Sequence, residues 1–244
     1  MKYVHLGCGL ANRLFAMMRM LNTYKEVTFV WEKIGREHIT FSDLFETSLN
    51  IKIQDYSPTS SIFIHPWDKY SYGEFNTSSK QQIHAKWRSN GIGFNTIACC
   101  LCGKPMCIPQ IARYIRPHSS LLDDLQRIRP YVGKSVLHIR HNPLEHGYSP
   151  KWKHIYRLLK TNFSYIAFEN GHHLKYLNSF VKQDDVRNAS RNRDTLEGLR
   201  TAVFDMYALS FGSSITSTKN FSTFHQMSTC IKKSRGLSKW SRAV

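Results

Sequence analysis

Apolar and polar positions follow two rhythms along this chain. Residues 3–6 form a short strand-like apolar run, and Leu10, Leu14, Met17, Met18 and Leu21 then recur at the spacing of one helix face. Gly7-Cys8-Gly9 separates the two, and residues 27–31 are a second run rich in strand formers. Strand, glycine turn, helix and strand in that order predict the opening of a parallel βαβ unit. Residues 41–45 and 62–64 predict further short elements, while the polar stretch 70–82 reads as a loop. After Ile108 a helical pattern runs through Ile111, Ile115, Leu121, Leu122, Leu125 and Ile128, broken by Pro117 and ending at Pro130 and Gly133.

A new strand, Ser135-Val136-Leu137-His138-Ile139-Arg140, follows at once, which sets a boundary near residue 133. Beyond it, strands over 165–168 and 213–216 alternate with helices over 151–159, 172–180, 195–210 and 224–233. That alternation predicts an α/β chain with doubly wound parallel sheets. The halves 1–133 and 134–244 are of comparable size, so a cleft between them is the default ligand site.

Composition narrows the picture. At 244 residues with 41% hydrophobic positions, the chain has ample material for a core, and global disorder is excluded. Lys and Arg outnumber Asp and Glu by 34 to 17, a net charge of +17, which points to anionic partners. The excess is +6 in residues 1–133 and +11 in 134–244, so the second half is the stronger anion binder. No apolar run approaches the length of a membrane-spanning helix, and the first residues lack a signal-peptide core. The expectation is therefore a soluble, cytoplasmic protein whose cysteines are mostly reduced. Cys99, Cys100, Cys102 and Cys107 cluster, but their irregular spacing does not make a zinc site, and no metal is expected.

Candidate chemistry concentrates in the second half. His138 and Arg140 lie two apart, on one face of a strand, at the end where parallel sheets bind ligands. A guanidinium fork suits diphosphate oxygens, although an ordinary surface Arg would look the same. Ser213-Ser214-Ile215-Thr216-Ser217 and Asn220-Phe221-Ser222-Thr223-Phe224 predict a strand passing through a hydroxyl-rich turn into a helix. Such a turn can cradle a phosphate or simply cap the helix. Asp205 borders the apolar stripe of Leu199, Ala202, Val203, Met206 and Leu209, where it could read a base edge or pair with an Arg.

In order and separation these segments resemble the GT-B-type fucosyltransferases that use GDP-fucose, the group holding α1,2-, α1,6-, nodulation and protein O-fucosyltransferases. Gly7-Cys8-Gly9-Leu10-Ala11-Asn12-Arg13-Leu14 resembles that family's N-terminal G-L-x-N-R/Q-L turn, and Val136-Leu137-His138-Ile139-Arg140 its V-x-H-x-R strand. Residues 200–224 resemble its Asp-bearing helix, L-S step and S-S/T-F turn. The resemblance implies two Rossmann-like parallel-sheet domains facing a cleft, with acceptor binding in 1–133 and the nucleotide-sugar donor in 134–244. It implies that catalytic Arg140 holds the β-phosphate, that His138 sits against the nucleotide, and that Asp205 reads guanine. Ser222, Thr223 and Phe224 would contact the diphosphate or sugar, and Glu169 would stand near the nucleotide. Gly9, Asn12 and Arg13 would face the cleft from the opposite domain.

The chain departs from the family in His141-Asn142-Pro143, where a second Arg and an Asp are usual, and in Glu169-Asn170, where an Asp pair is usual. The activity implied is inverting sugar transfer to a glycan or glycoconjugate hydroxyl, with neither cofactor nor metal. One diphosphate needs only a few cations, so the rest of the +17 charge points to an anionic acceptor or a charged surface nearby. Asp43, Glu46 and Asp68 are the candidate bases. Nucleic-acid binding would use the charge and the interleaved aromatics, but it leaves the ordered motifs to chance. An inactive interaction protein and a transferase for another nucleotide sugar complete the alternatives.

Overall fold

A computed structural model describes residues 2–6, 9–56, 96–98, 107–132, 135–140, 152–160, 162–168, 194–219 and 222–235. The expected elements at 62–64, 70–82 and 172–180, and the cysteines at 99, 100 and 102, lie outside these residues. Strand β1 (Lys2–Leu6) leads into helix α1 (Leu10–Thr23), and β2 (Val27–Glu32) returns beside β1. With β4 (Lys52–Tyr56) and β5 (Thr96–Ala98) they make a sheet of order β4-β2-β1-β5, every pair parallel. In β2, Val27, Phe29, Val30 and Trp31 are all buried, as both faces of an interior parallel strand require. The opening βαβ unit is thus present.

Strand β3 (Phe45–Thr47) pairs antiparallel with β6 (Ile115–Pro117). This corrects the sequence expectation of one broken helical pattern after Ile108. The segment is instead a short helix α2 (Pro109–Ala112), then β6, then helix α3 (Leu122–Ile128), with single 3-10 turns at Ser119–Leu121 and Arg129–Tyr131. Pro117 stops a helix because it lacks an N–H, and the edge of a two-stranded ladder tolerates it. Long-range bonds fix the extended form: His118 N–H donates to the Leu44 carbonyl (2.9 Å), and the hydroxyl of buried Tyr207 donates to the Ile115 carbonyl (2.6 Å).

The second sheet holds β7 (Ser135–Ile139), β8 (Tyr165–Phe168) and β9 (Ser214–Ser217), parallel, in the order β8-β7-β9. Alternate residues of β7 serve two cores. Leu137 and Ile139 pack with Ile155, Ile166 and Phe168 beneath helix α4 (Trp152–Leu159), while Val136 joins the larger core. Helix α5 (Leu196–Leu209) is capped by Thr195, whose hydroxyl accepts from Gly198 N–H at 3.2 Å. Helix α6 (Thr223–Arg235) packs on α1, α2 and α5, so the larger core runs continuously from Leu14 and Met17 to Leu209 and Met227. α1, in contact with α6, buries Phe15 and Ala16 as well as Leu14, Met17 and Met18 of its expected stripe.

Cys107, just before α2, forms a disulfide with Cys230 of α6. The expectation of reduced cysteines is corrected for this pair. Bonds of this kind persist in oxidising compartments. Among the described residues no helix is long and apolar enough to cross a membrane.

Candidate functional site

The site is built where β7 ends. β7 is the central strand of its sheet, so its C-terminal end is flanked on both sides, and Arg140 is the first residue past it. Thr218 continues the ladder beyond β9. Its N–H donates to the His138 carbonyl at 3.0 Å, and its Oγ1 accepts from Arg140 N–H at 2.9 Å. Two bonds from one residue therefore fix the backbone that carries the Arg140 side chain. Arg140 itself is partly buried.

His138 points to the same face as Val136 and is buried, with 1% exposure. Its ring stacks on Phe224, centroids 4.9 Å apart and planes 25° apart, and its Nδ1 lies 3.3 Å from Ser217 Oγ. Phe224 belongs to the first turn of α6, so this stack ties the start of α6 to the end of β7. Ser222 stands at the N-cap position of α6, its carbonyl accepting from Gln226 N–H at 3.0 Å. Ser222 is 2% exposed, and its buried hydroxyl makes no hydrogen bond among the described residues. Ser222 is therefore not capping the helix through its side chain, the alternative that the sequence left open. Thr223, partly buried, is the first residue of α6. The structure thus brings His138, Arg140, Ser222, Thr223 and Phe224 to one junction, with a helix N-terminus, favourable to anions, at its edge.

Asp205 sits differently. It is 4% exposed on α5, and its Oδ1 accepts from the Tyr165 hydroxyl at 2.6 Å. Reading guanine takes both carboxylate oxygens, and here one is engaged by a phenol from the start of β8. Arg13, expected to face a cleft, is instead buried at 4% exposure. Its guanidinium lies 4.5 Å over the Trp31 ring and donates to the Glu32 carbonyl. Burial, partly offset by the Glu32 charge, brings it down to about 10. Asn12 beside it is partly buried. Gly9 is exposed at the start of α1, and a Cβ there would meet nothing closer than Asn12 Nδ2 at 4.0 Å. Glu169 lies outside the described residues.

Of the candidate bases, Asp43 accepts from both Oγ1 and N–H of Thr40, at 2.6 and 2.7 Å. The Thr40 hydroxyl is the main reason its carboxyl stays below the usual range. Glu46 is lowered as well, chiefly by the Ser119 N–H at 2.9 Å. Carboxylates stabilised in this way are weakened as proton acceptors. Asp68 lies outside the described residues. No group of three or more His, Cys, Asp or Glu that could hold a metal occurs among the described residues.

Sequence reasoning missed Thr218 and the Tyr165 hydroxyl. The run of hydroxyls from Ser213 was the visible signal for Thr218, but its contact with Arg140 depends on a strand pairing 78 residues apart. Tyr165 gave no signal, since an aromatic at a strand start is ordinary.

No protein-family model matches the chain, and no curated protein matches it. Solved structures do. The NodZ α-1,6-fucosyltransferase soaked with GDP-fucose is similar with a TM-score of 0.56 at 14% identity, over 94% of this chain and 92% of that one. The same enzyme co-crystallised with GDP gives 0.55 at 14% identity, over 93% and 91%. The fucosyltransferase NodZ from Bradyrhizobium gives 0.53 at 14% identity, again over 93% and 91%. A likeness at this identity speaks for architecture, and over nearly its whole length this chain has a fucosyltransferase-like α/β fold.

Proposed function

We propose that this protein is a glycosyltransferase that takes a sugar from a nucleoside diphosphate, GDP-fucose being the favoured donor, and joins it to a glycan or glycoconjugate hydroxyl. The supporting observation is the junction at the end of β7, where Thr218 holds the Arg140 backbone and the His138–Phe224 stack ties the strand to the start of α6. The fold likeness to structures soaked with GDP-fucose or co-crystallised with GDP supports a nucleotide sugar as the ligand.

In this reading residues 134–244 form the donor side and 1–133 the acceptor side of a GT-B-like cleft. The acceptor oxygen bonds to the anomeric carbon as the bond to the β-phosphate oxygen breaks on the opposite face, which inverts the centre. The diphosphate leaves with the electron pair, and the acceptor hydroxyl passes its proton to a carboxylate of the acceptor side, for which Asp43, Glu46 and Asp68 are the candidates. Negative charge therefore grows on the leaving group, where the Arg140 guanidinium and the first amides of α6 stabilise it without a metal ion. The Ser222 hydroxyl, which makes no hydrogen bond among the described residues, adds a donor.

Saturating GDP or GDP-fucose should raise the melting temperature, and Arg140→Ala should lower kcat about a hundredfold or more with the fold intact. No shift with any nucleotide sugar removes the donor site. Turnover by Arg140→Ala within a few-fold of the parent removes Arg140 from the chemistry.

A further inference from the structure

Helix α4 has two unlike faces. Ile155, Leu158 and Leu159 pack with Ile166 and Phe168 against the second sheet. Lys153, Arg157 and Lys160, spaced four and three apart, line the opposite face, with His154 and Tyr156 beside them, and all five are exposed. Among the described residues Tyr156, at 46%, is the only large apolar side chain left exposed, and Lys160 Nζ lies 4.9 Å from its ring centroid.

The charge on this face is of one sign. On α3 the exposed Arg127 is paired with Asp124 at 3.2 Å, whereas the three cations of α4 have no carboxylate partner among the described residues. The surrounding sequence supplies none either, since residues 146–168 hold four Lys or Arg and no Asp or Glu. Part of the pattern has a purely structural account, because cations are favoured at a helix C-terminus, where Arg157 and Lys160 stand. Lys153 falls outside it. It sits in the first turn, which has no acidic residue and where positive charge is disfavoured. A cation at that position costs the helix stability, and an anion lying along the face offsets the cost.

We propose that this face of α4 is a docking surface for an acidic polysaccharide, a chain of sugars bearing carboxylates or sulfates, and that the docked chain carries the acceptor hydroxyl. The acceptor role rests on the glycosyltransferase reading; the docking surface does not. About one cation per turn in a single row suits a linear polyanion. A helix that binds a bilayer inserts its apolar face, and α4 has its own packed on Ile166 and Phe168. Because β7 and β8 run parallel with α4 between them, the helix begins at the sheet end where Arg140 emerges and extends away from it for about 12 Å. A chain along α4 therefore points one end toward the β7 junction.

The test measures binding at fixed ionic strength to polygalacturonate, dextran sulfate, uncharged dextran and a single-stranded oligonucleotide, all of matched length. The wild type should bind an acidic polysaccharide and not dextran, more weakly as salt rises. Tighter binding of polygalacturonate assigns carboxylates, and of dextran sulfate assigns sulfates. Joint replacement of Lys153, Arg157 and Lys160 by Gln should weaken binding about tenfold or more. The same replacement of Lys25, Lys52 and Lys233, also exposed, removes equal charge and should weaken it far less. Lys153→Glu should weaken binding without lowering the melting temperature, since a carboxylate suits the first turn. In transfer to an acidic acceptor, the α4 triple variant should raise KM and leave kcat unchanged. Equal losses in the two triple variants overturn the docking surface, as does equal binding of dextran. An oligonucleotide bound more tightly than either polysaccharide, and lost in the α4 variant, overturns the glycan as partner. An unchanged KM overturns the acceptor role. Polysaccharide binding through α4 with no thermal shift from any nucleotide sugar leaves the docking surface standing and removes the transferase reading and the acceptor role with it.

Discussion

His225, one residue past Phe224 in α6, shows what a single half-buried ring contributes. Its Nε2–H donates to the Ile215 carbonyl at 3.3 Å, and burial holds its pKa below the ordinary value for histidine. As pH falls through about 6.5, the unfolded chain takes up a proton here and the folded chain does not. Stability is therefore lost on acidification below that value. The melting temperature of the wild type should fall more steeply between pH 7 and 5 than that of His225→Gln, whose side-chain amide can replace the donor. Parallel curves would mean that the ring titrates freely in the folded protein. Arg13 teaches a related lesson about what could be read beforehand. It lies three residues after Leu10 and four before Met17, inside the helical stripe, and that spacing was the available sign of burial. The family resemblance pointed it outward, whereas the nearby Trp31 ring and Glu32 carbonyl hold it in.

Elements with a clean period were legible, and those defined by a distant partner were not. β1, β2, β7, β8 and β9 lie where runs of strand formers predict them, and α1, α5 and α6 where the apolar stripe does. β3 and β6 have three residues each and exist only because they pair across the chain, so no local pattern could announce them. The junction of His138, Arg140 and Phe224 was half legible: the strand and the helix were visible, the stack and the Thr218 clamp were not. The same limit hid the Cys107–Cys230 bond, which spans 123 positions between α2 and α6. Closing so long a loop restricts the unfolded chain, and its loss should cost about 2–5 kcal/mol. Reduction, or joint replacement of both cysteines by Ala, should then lower the melting temperature by roughly 10 °C. An unchanged melting temperature after both thiols are shown to be reduced would reject this.

For the whole molecule, the question is how two parallel sheets share one chain. They fall on either side of residue 133, with β1 to β6 before it and β7 to β9 after it, as the alternation of strands and helices suggests. Their hydrophobic interior is not divided in the same place. α6 follows the second sheet in sequence yet packs on α1 and α2, and the larger core takes Leu14, Met17 and Leu125 from the first part and Val136, Leu209 and Met227 from the second. Separating the parts would expose apolar faces on both sides and leave Cys230 without its partner. Folding should therefore be cooperative across the boundary, with a single calorimetric transition whose measured enthalpy equals its van't Hoff value. Residues 134–244 alone should fail to give a cooperative melt, because the α6 face that meets α1 and α2 would be in water. Two resolved transitions in the intact protein, or a stable isolated fragment, would show instead that each sheet holds a core sufficient for itself, with α6 only resting on the first.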